Sequence, residues 1–525
     1  MLNLAVLLED SAREHPAREA VVCENIRLTY GDLDAAANRV ANLLTGLGIG
    51  PGDKIVLACP NVPSFPAVYY GALKAGVVVV PINILLKSEE ITYHLADSEA
   101  KAFFCFEGSE ELPIDEHGLR AFADVDGCAH FFSAAADPMA ARSPLPGVTS
   151  LGEALRAQPP TFDTTATRPG DTAVILYTSG TTGKPKGAEL THANLVLNAR
   201  LFDVMYADHP HDVHLVTLPL FHTFAQTIQM NAGFYKRATL VLQPRFTAAD
   251  TLRLMQAEDV TFFAGVPTMY WDLLGADDSG VDLDRIRGTL RYAVAGGAPL
   301  PMEVLKGFEA KYGVPVLEGY GLSETSPVVA FNRHDRPSRP GSVGLPVWGV
   351  EVRIVDEERN DVGPGDPGEL LVRGHGVMKG YYRRPDETAT ALRDGWLHTG
   401  DIARRDADGY LYIVDRKKDL IIRGGYNVYP REVEEVVMGH PDVSLAAVVG
   451  IPHPRHGEEV KVFVIREPGS TLGELELVTW CRTRLGGHKY PRLVEFRDDL
   501  PRNATGKILK RALAQGRHDN SKGAR

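Results

Sequence analysis

Nowhere in the 525 residues does an uninterrupted apolar run approach the ~20 that a bilayer-spanning helix requires. The opening stretch 1–8 is apolar, but Glu9 and Asp10 follow it and no basic segment precedes it. It is expected to be a short amphipathic helix rather than a secretory signal. Cysteine is scarce: Cys23, Cys59, Cys105, Cys128 and Cys481 are odd in number, scattered and without metal-ligand spacing. They read as small buried hydrophobes in a reducing cytosol, so a cytoplasmic protein is expected. Basic residues are outnumbered, 56 Lys and Arg against 68 Asp and Glu, for a net charge of −12. That balance argues against nonspecific binding to nucleic acid or anionic membrane, though a local basic pocket is compatible with it. Internal repeats and low-complexity tracts are also absent.

What is present is a chain too long for one hydrophobic core, which predicts several domains. Thr29-Tyr30-Gly31-Asp32 opens a helix in which Leu33, Ala36, Ala37, Val40 and Leu44 recur at helical spacing. Residues 54–59 are strand-like and 65–75 predict a second helix. The run Val77-Val78-Val79-Val80 is β-branched without alternation, which suits a strand buried on both faces of a parallel sheet. Similar runs at 173–176, 215–218, 239–242, 261–263 and 292–295, with helical segments between them, predict an α/β body of layered sheets. From 342 to 373 the strands become shorter and alternating, with turns such as Gly363-Pro364-Gly365-Asp366-Pro367-Gly368, and a small β subdomain is expected. A dense charged run, Asp415-Arg416-Lys417-Lys418-Asp419, meets Gly424-Gly425, and the domain boundary is placed there: 1–416 as the large domain, 417–525 as a small, mobile α+β domain. Strands are expected at 443–450 and 459–465, a helix at 508–513, and a polar tail from 516.

The most informative segment is Tyr177-Thr178-Ser179-Gly180-Thr181-Thr182-Gly183-Lys184-Pro185-Lys186-Gly187, directly after Ala173-Val174-Ile175-Leu176. Its glycines let the backbone approach a ligand closely. Hydroxyls and backbone N–H groups can then surround phosphate oxygens while the lysines supply charge. It is not a Walker loop, because the glycines fall at 180, 183 and 187 and Ala188 follows the last.

This loop resembles the signature of the adenylate-forming superfamily of acyl-CoA synthetases, peptide-synthetase adenylation domains and beetle luciferases. Further segments match in order: Gly319-Tyr320-Gly321-Leu322-Ser323-Glu324-Thr325, Gly395-Trp396-Leu397-His398-Thr399-Gly400-Asp401, Asp415-Arg416-Lys417-Lys418-Asp419 and Asn503-Ala504-Thr505-Gly506-Lys507. The resemblance implies ATP, Mg²⁺ and CoA as the small-molecule set. Thr178, Ser179, Gly180, Thr181, Thr182, Gly183 and above all Lys186 would hold the β- and γ-phosphates, Lys184 less. Glu324 is the candidate Mg²⁺ ligand, since hard carboxylate oxygens suit that ion. Ser323, where relatives more often carry Thr, would bond a phosphate oxygen. Tyr320 suits stacking on adenine or plugging the core, and both remain open. Gly296, Gly297 and Ala298 would line adenine and the acyl carbonyl, with Glu318, Gly319 and Gly321 flanking. Asp401 would accept the ribose hydroxyls and Arg416 would complete the ribose or phosphate contacts. Lys507 resembles the lysine that bridges substrate carboxylate and α-phosphate during adenylation. Lys418 matches the family's hinge, about which the small domain would rotate so that Gly424 and Gly425 approach the pantetheine arm of CoA.

The stretch Pro219-Leu220-Phe221-His222-Thr223-Phe224-Ala225 through Ile228, Met230 and Phe234 is expected to line the acyl pocket, with part of it core. His222 fits a pocket mouth and a satisfied buried histidine equally. Malonate-specific relatives place an arginine just before the tyrosine of the glutamate motif; here that position is Gly319. The segments 318–324 and Phe263-Ala264-Gly265-Val266-Pro267-Thr268-Met269-Tyr270 look most like bacterial medium- and long-chain fatty acyl-CoA synthetases. Aryl acids stay open, as does a homodimer. The sequence ends soon after Lys507, so a carrier protein, the alternative acceptor to CoA alongside an amine or other nucleophile, is expected to be a separate chain.

Overall fold

The computed structural model describes residues 1–141, 143, 145, 147–178 and 184–514. The expected polar tail from 516 and the loop positions Ser179, Gly180, Thr181, Thr182 and Gly183 lie outside the described residues. Two large sheets form the body. One has nine strands and pairs Glu19–Cys23, Thr239–Leu242, Val213–Val216, Phe262–Gly265, Tyr292–Ala295 and Val316–Gly321 in parallel. The other has seven strands, with Thr172–Thr178, Val78–Pro81, Lys54–Ala58, Ala102–Phe106 and His130–Ala134 parallel at its centre. The unalternating runs read from the sequence occupy these strands, and their side chains are buried, as a sheet covered on both faces demands.

Helices between the strands begin where local chemistry allows. Thr29 and Thr191 each accept a hydrogen bond from the third helical N–H of Tyr30–Gly46 and His192–Arg200, in capping boxes with Asp32 and Asn194. The opening helix runs Val6–Glu14, starting later than the apolar stretch that suggested it, and Leu4 and Ala5 just before it reach the same core as Leu7, Leu8 and Ala12. Among the described residues no helix is long and apolar enough to cross a membrane.

The antiparallel unit extends further than the turn-rich segment 342–373. Val350–Val355, Gly368–Gly374, Trp396–Arg405, Leu392–Arg393 and Leu411–Arg416 form one five-stranded sheet. A last five-stranded sheet is built by Ile421–Arg423, Tyr426–Val428, Val443–His453, Gly457–Arg466 and Leu493–Phe496. It carries its own core, including Val433, Val448, Val462 and Leu477, under the helices Pro430–Met438 and Glu474–Arg482.

Candidate active site

The parallel strands of both large sheets end at the same place. Ligand sites in open α/β sheets form beyond the carboxyl ends of strands, and here a cleft of about 1600 Å³ opens beyond Pro81, Thr178, Ala295 and Gly321. Its size exceeds the roughly 300–1,000 Å³ of a pocket for one drug-sized ligand. The small domain closes its far side with Asn503, Thr505 and Lys507.

Thr178 and Lys186 pair across the two strands that flank the phosphate-type loop, which fixes its base. Glu324 sits over this base. Its Oε1 accepts the Thr178 hydroxyl at 3.1 Å and the Tyr381 hydroxyl at 3.0 Å. The Lys186 ammonium lies 5.5 Å from the Tyr381 ring centroid. Tyr381 reaches this position because Gly380–Tyr381 adds an edge strand beside Glu189 and Ala188. Gly321 is constrained by the turn at Ser323–Thr325 that carries Glu324: a Cβ there would lie 1.9 Å from the Pro327 carbonyl oxygen, so any side chain would force the backbone apart.

At the opposite end, Asp401 and Arg416 are cross-strand partners. The Asp401 carboxylate, 4 % exposed, accepts the Tyr320 hydroxyl at 2.5 Å and lies 3.3 Å from the Arg416 Nε. Tyr320 is thus tethered, with its ring lining the cleft. Lys507 approaches from the small domain on a turn held by Asn503, whose Oδ1 accepts the Lys507 N–H at 2.9 Å. Burial, then the positive charge of Arg416, lowers the Lys507 ammonium from 10.5 to about 8, against the opposing pull of Asp401 and Asp419. His222 lines the cleft too, and is lowered to about 4 first by burial and then by Lys507.

The cleft therefore gathers Thr178, Lys186, His222, Gly296, Gly297, Gly319, Tyr320, Gly321, Ser323, Glu324, Asp401, Arg416, Lys418 and Lys507 from both domains. Ala298, Glu318, Gly424 and Gly425 are not among its lining residues. Glu318 is buried behind the wall, where desolvation raises it to about 7 in spite of Arg431. Within the expected acyl segment, Phe221, Phe224 and Ile228 face the cleft, whereas Leu220, Met230 and Phe234 are fully buried. Phe224–Asn231 winds as a π-helix, a geometry frequent at functional sites. Sequence reasoning missed Tyr381, Thr399 and Tyr93, all lining residues. Thr399 lies inside the quoted segment 395–401 but was given no role there, and the Gly-Tyr-Tyr at 380–382 carries neither charge nor ligand spacing.

The AMP-binding enzyme family matches residues 8–382, and the AMP-binding enzyme C-terminal domain matches 432–507. The chain belongs to the AMP-binding enzyme family. It is 37 % identical over 545 residues to a long-chain-fatty-acid–CoA ligase of Escherichia coli O157:H7, covering 99 % of this chain and 96 % of that one. It is also 37 % identical over 501 residues to a feruloyl-CoA synthase of Amycolatopsis sp, covering 95 % and 96 %. Among solved structures, ATP-bound MatB from Rhodopseudomonas palustris is 33 % identical with a TM-score of 0.88, over 98 % of this chain and 99 % of that one. The apo form of the same MatB gives 0.78, so the fold seen here lies nearer the ATP-bound arrangement. The first of these relatives is named a CoA ligase and the second a CoA synthase, and the chain is an adenylate-forming acyl-CoA ligase of the AMP-binding enzyme family.

Proposed function

We propose that the protein activates a medium- or long-chain fatty acid with ATP and transfers the acyl group to CoA. In the first step a carboxylate oxygen attacks the α-phosphorus, the bond to pyrophosphate breaks, and an acyl-adenylate forms. In the second the CoA sulfur attacks the acyl carbonyl carbon, its proton goes to solvent, and AMP leaves with the oxygen. The observation that carries this reading is the entry of Lys507 from the small domain into the cleft that Lys186, Glu324 and Asp401 line from the large one.

The first step brings anions together, and fixed cations aimed at the developing charge lower its barrier. Lys507 would bridge carboxylate and α-phosphate, and Lys186 with Thr178 would hold the outer phosphates. Asp401, 3.3 Å from the Arg416 Nε, would take the ribose hydroxyls, with Tyr320 against the adenine. The residues present suit Mg²⁺. Both hydroxyls at Glu324 donate to Oε1, so among the described residues Oε2 is left for a cation. Among the described residues no group of three or more His, Cys, Asp or Glu could hold a metal by itself. One carboxylate with nucleotide phosphates is the usual Mg²⁺ arrangement, and the bound ion would neutralise phosphate charge. For thioester formation Lys507 must withdraw, by rotation at Lys418. Gly424 and Gly425, outside the cleft in this arrangement, would then approach the pantetheine arm.

The apolar arm of the cleft, with Met205, Ile228, Val328 and Phe331, supports a hydrocarbon chain over acetate, because each buried methylene contributes about 0.8 kcal/mol. A second reading, a phenylpropenoic acid, is favoured by the equal identity to the feruloyl-CoA synthase. A panel of fatty and aryl acids with ATP and Mg²⁺, scored for pyrophosphate with and without CoA, tests both. Turnover of C8–C18 acids with thioester product supports the first. Selective use of ferulate-like acids moves the assignment to the second, and pyrophosphate without any thioester removes CoA as acceptor.

A further inference from the structure

The turn that carries Lys507 is gripped by one face of a large-domain helix. In Pro267–Leu274, Thr268, Trp271 and Asp272 fall at helical spacing i, i+3 and i+4 and share a face. Thr268 donates its hydroxyl to the Gly506 carbonyl at 2.9 Å, and Trp271 donates its indole N–H to Ser444 Oγ at 3.0 Å. Asp272 Oδ2 lies 3.3 Å from Arg502 Nη1, and the Arg502 guanidinium stands 5.6 Å from the Trp271 ring centroid. The contact at Gly506 is tight: with φ +82° and only 2.9 Å from a Cβ position to Thr268 Oγ1, any other residue would push the turn away.

Arg502 is tied rigidly to Lys507. Arg502 and Ile508 bridge antiparallel, and the Asn503 N–H donates to the Lys507 carbonyl at 2.9 Å, closing a small hairpin. Its two anchors on the helix are therefore Asp272 at the base and Thr268 at the tip. The clasp is also incomplete, since Arg502 Nε is buried without a hydrogen-bond partner among the described residues. An unsatisfied buried donor lowers the stability of the docked state, which suits a contact that must release.

We propose that Asp272 and Arg502 form an interdomain clasp that positions Lys507 for adenylation and opens before thioester formation. Both are positioning residues, acting through the hairpin rather than on substrate. The proposal rests on the two-step reading above but can fail separately from it. A lid held by few contacts shifts its equilibrium when one is removed. Asp272→Ala and Arg502→Ala are each expected to slow adenylate formation about tenfold while leaving thiolysis of supplied acyl-adenylate by CoA within about twofold of wild type. The double variant should be no slower than the slower single one. Losses that multiply, losses equal in both half-reactions, or no loss would overturn the clasp.

A second measurement needs no chemistry. Spin labels at Glu303→Cys and Leu475→Cys, exposed positions on the two domains, report lid position, and the five native cysteines are buried. With ATP and Mg²⁺ the otherwise wild-type pair should show one dominant distance. Adding Asp272→Ala should add a second population, and identical distributions would overturn the proposal. If no acid yields adenylate with the wild type, the two-step reading falls, and the distance distributions still decide the clasp.

Discussion

An ammonium held at about 8 should leave its mark on the pH profile of adenylation. Lys507 is displaced from 10.5 by burial and by Arg416, a difference of about 3 kcal/mol between its two protonation states. The sign follows from its role. The charged form steadies the transition state, so activity is full below about 8 and falls as pH rises through it. Between pH 7 and 9.5 the protonated fraction drops from about nine-tenths to about 3 %, so kcat/KM for ATP should fall about 30-fold. A lysine at its ordinary value would lose almost nothing over that range. The assay must follow adenylation alone, by pyrophosphate release without CoA, because a thiol titrates near ~8.5 and would add its own limb. In the kcat profile the limb should move upward, since bound phosphate and carboxylate favour the ammonium. Arg416→Gln should also move the limb up, by roughly one pH unit, whatever it does to the absolute rate. Lys507→Met should leave a low rate with no limb. A flat wild-type profile from pH 7 to 9.5, or the same limb in Lys507→Met, would refute the assignment.

Glu324→Gln should cut adenylation by roughly 100-fold and weaken the response to Mg²⁺, measured by titrating the ion at saturating ATP. Tyr381→Phe removes one of the two hydroxyls on Glu324 Oε1 and should raise the Mg²⁺ half-saturation by about threefold while leaving kcat nearly unchanged. Lys418→Pro should spare adenylation and suppress thioester formation; equal loss of both would count against rotation at that residue. Ile228→Trp, on the apolar wall, should shift the preferred acid by several carbons toward shorter chains in a competition assay.

The α/β body was legible because strands buried on both faces must be apolar without alternation, as Val77 to Val80 are. The cleft was legible where chemistry demands particular side chains: an acid such as Glu324 or Asp401, a cation such as Lys186 or Lys507. Contacts made across the fold were not. Tyr381 meets Glu324 only because an edge strand of two residues pairs beside Lys186–Thr191. The grip of Pro267–Leu274 on the Lys507 turn joins positions more than two hundred residues apart, with |i−j| of 238 at Thr268 and Gly506. The antiparallel sheet outran its reading because Trp396–Arg405 and Leu411–Arg416 carry motif residues, which masked their strand pattern. The π-helix at Phe224–Asn231 follows neither of the two periods that hydrophobic patterning can detect.

The chemistry at the centre of this reading is the transfer of a carboxylate oxygen to AMP. Acid labelled with ¹⁸O in its carboxylate, turned over with ATP, Mg²⁺ and CoA, tests it directly by mass spectrometry of the products. An acyl-adenylate intermediate predicts one ¹⁸O in AMP for each thioester formed and none in pyrophosphate. Label in orthophosphate, or AMP without label beside a labelled thioester, would contradict it.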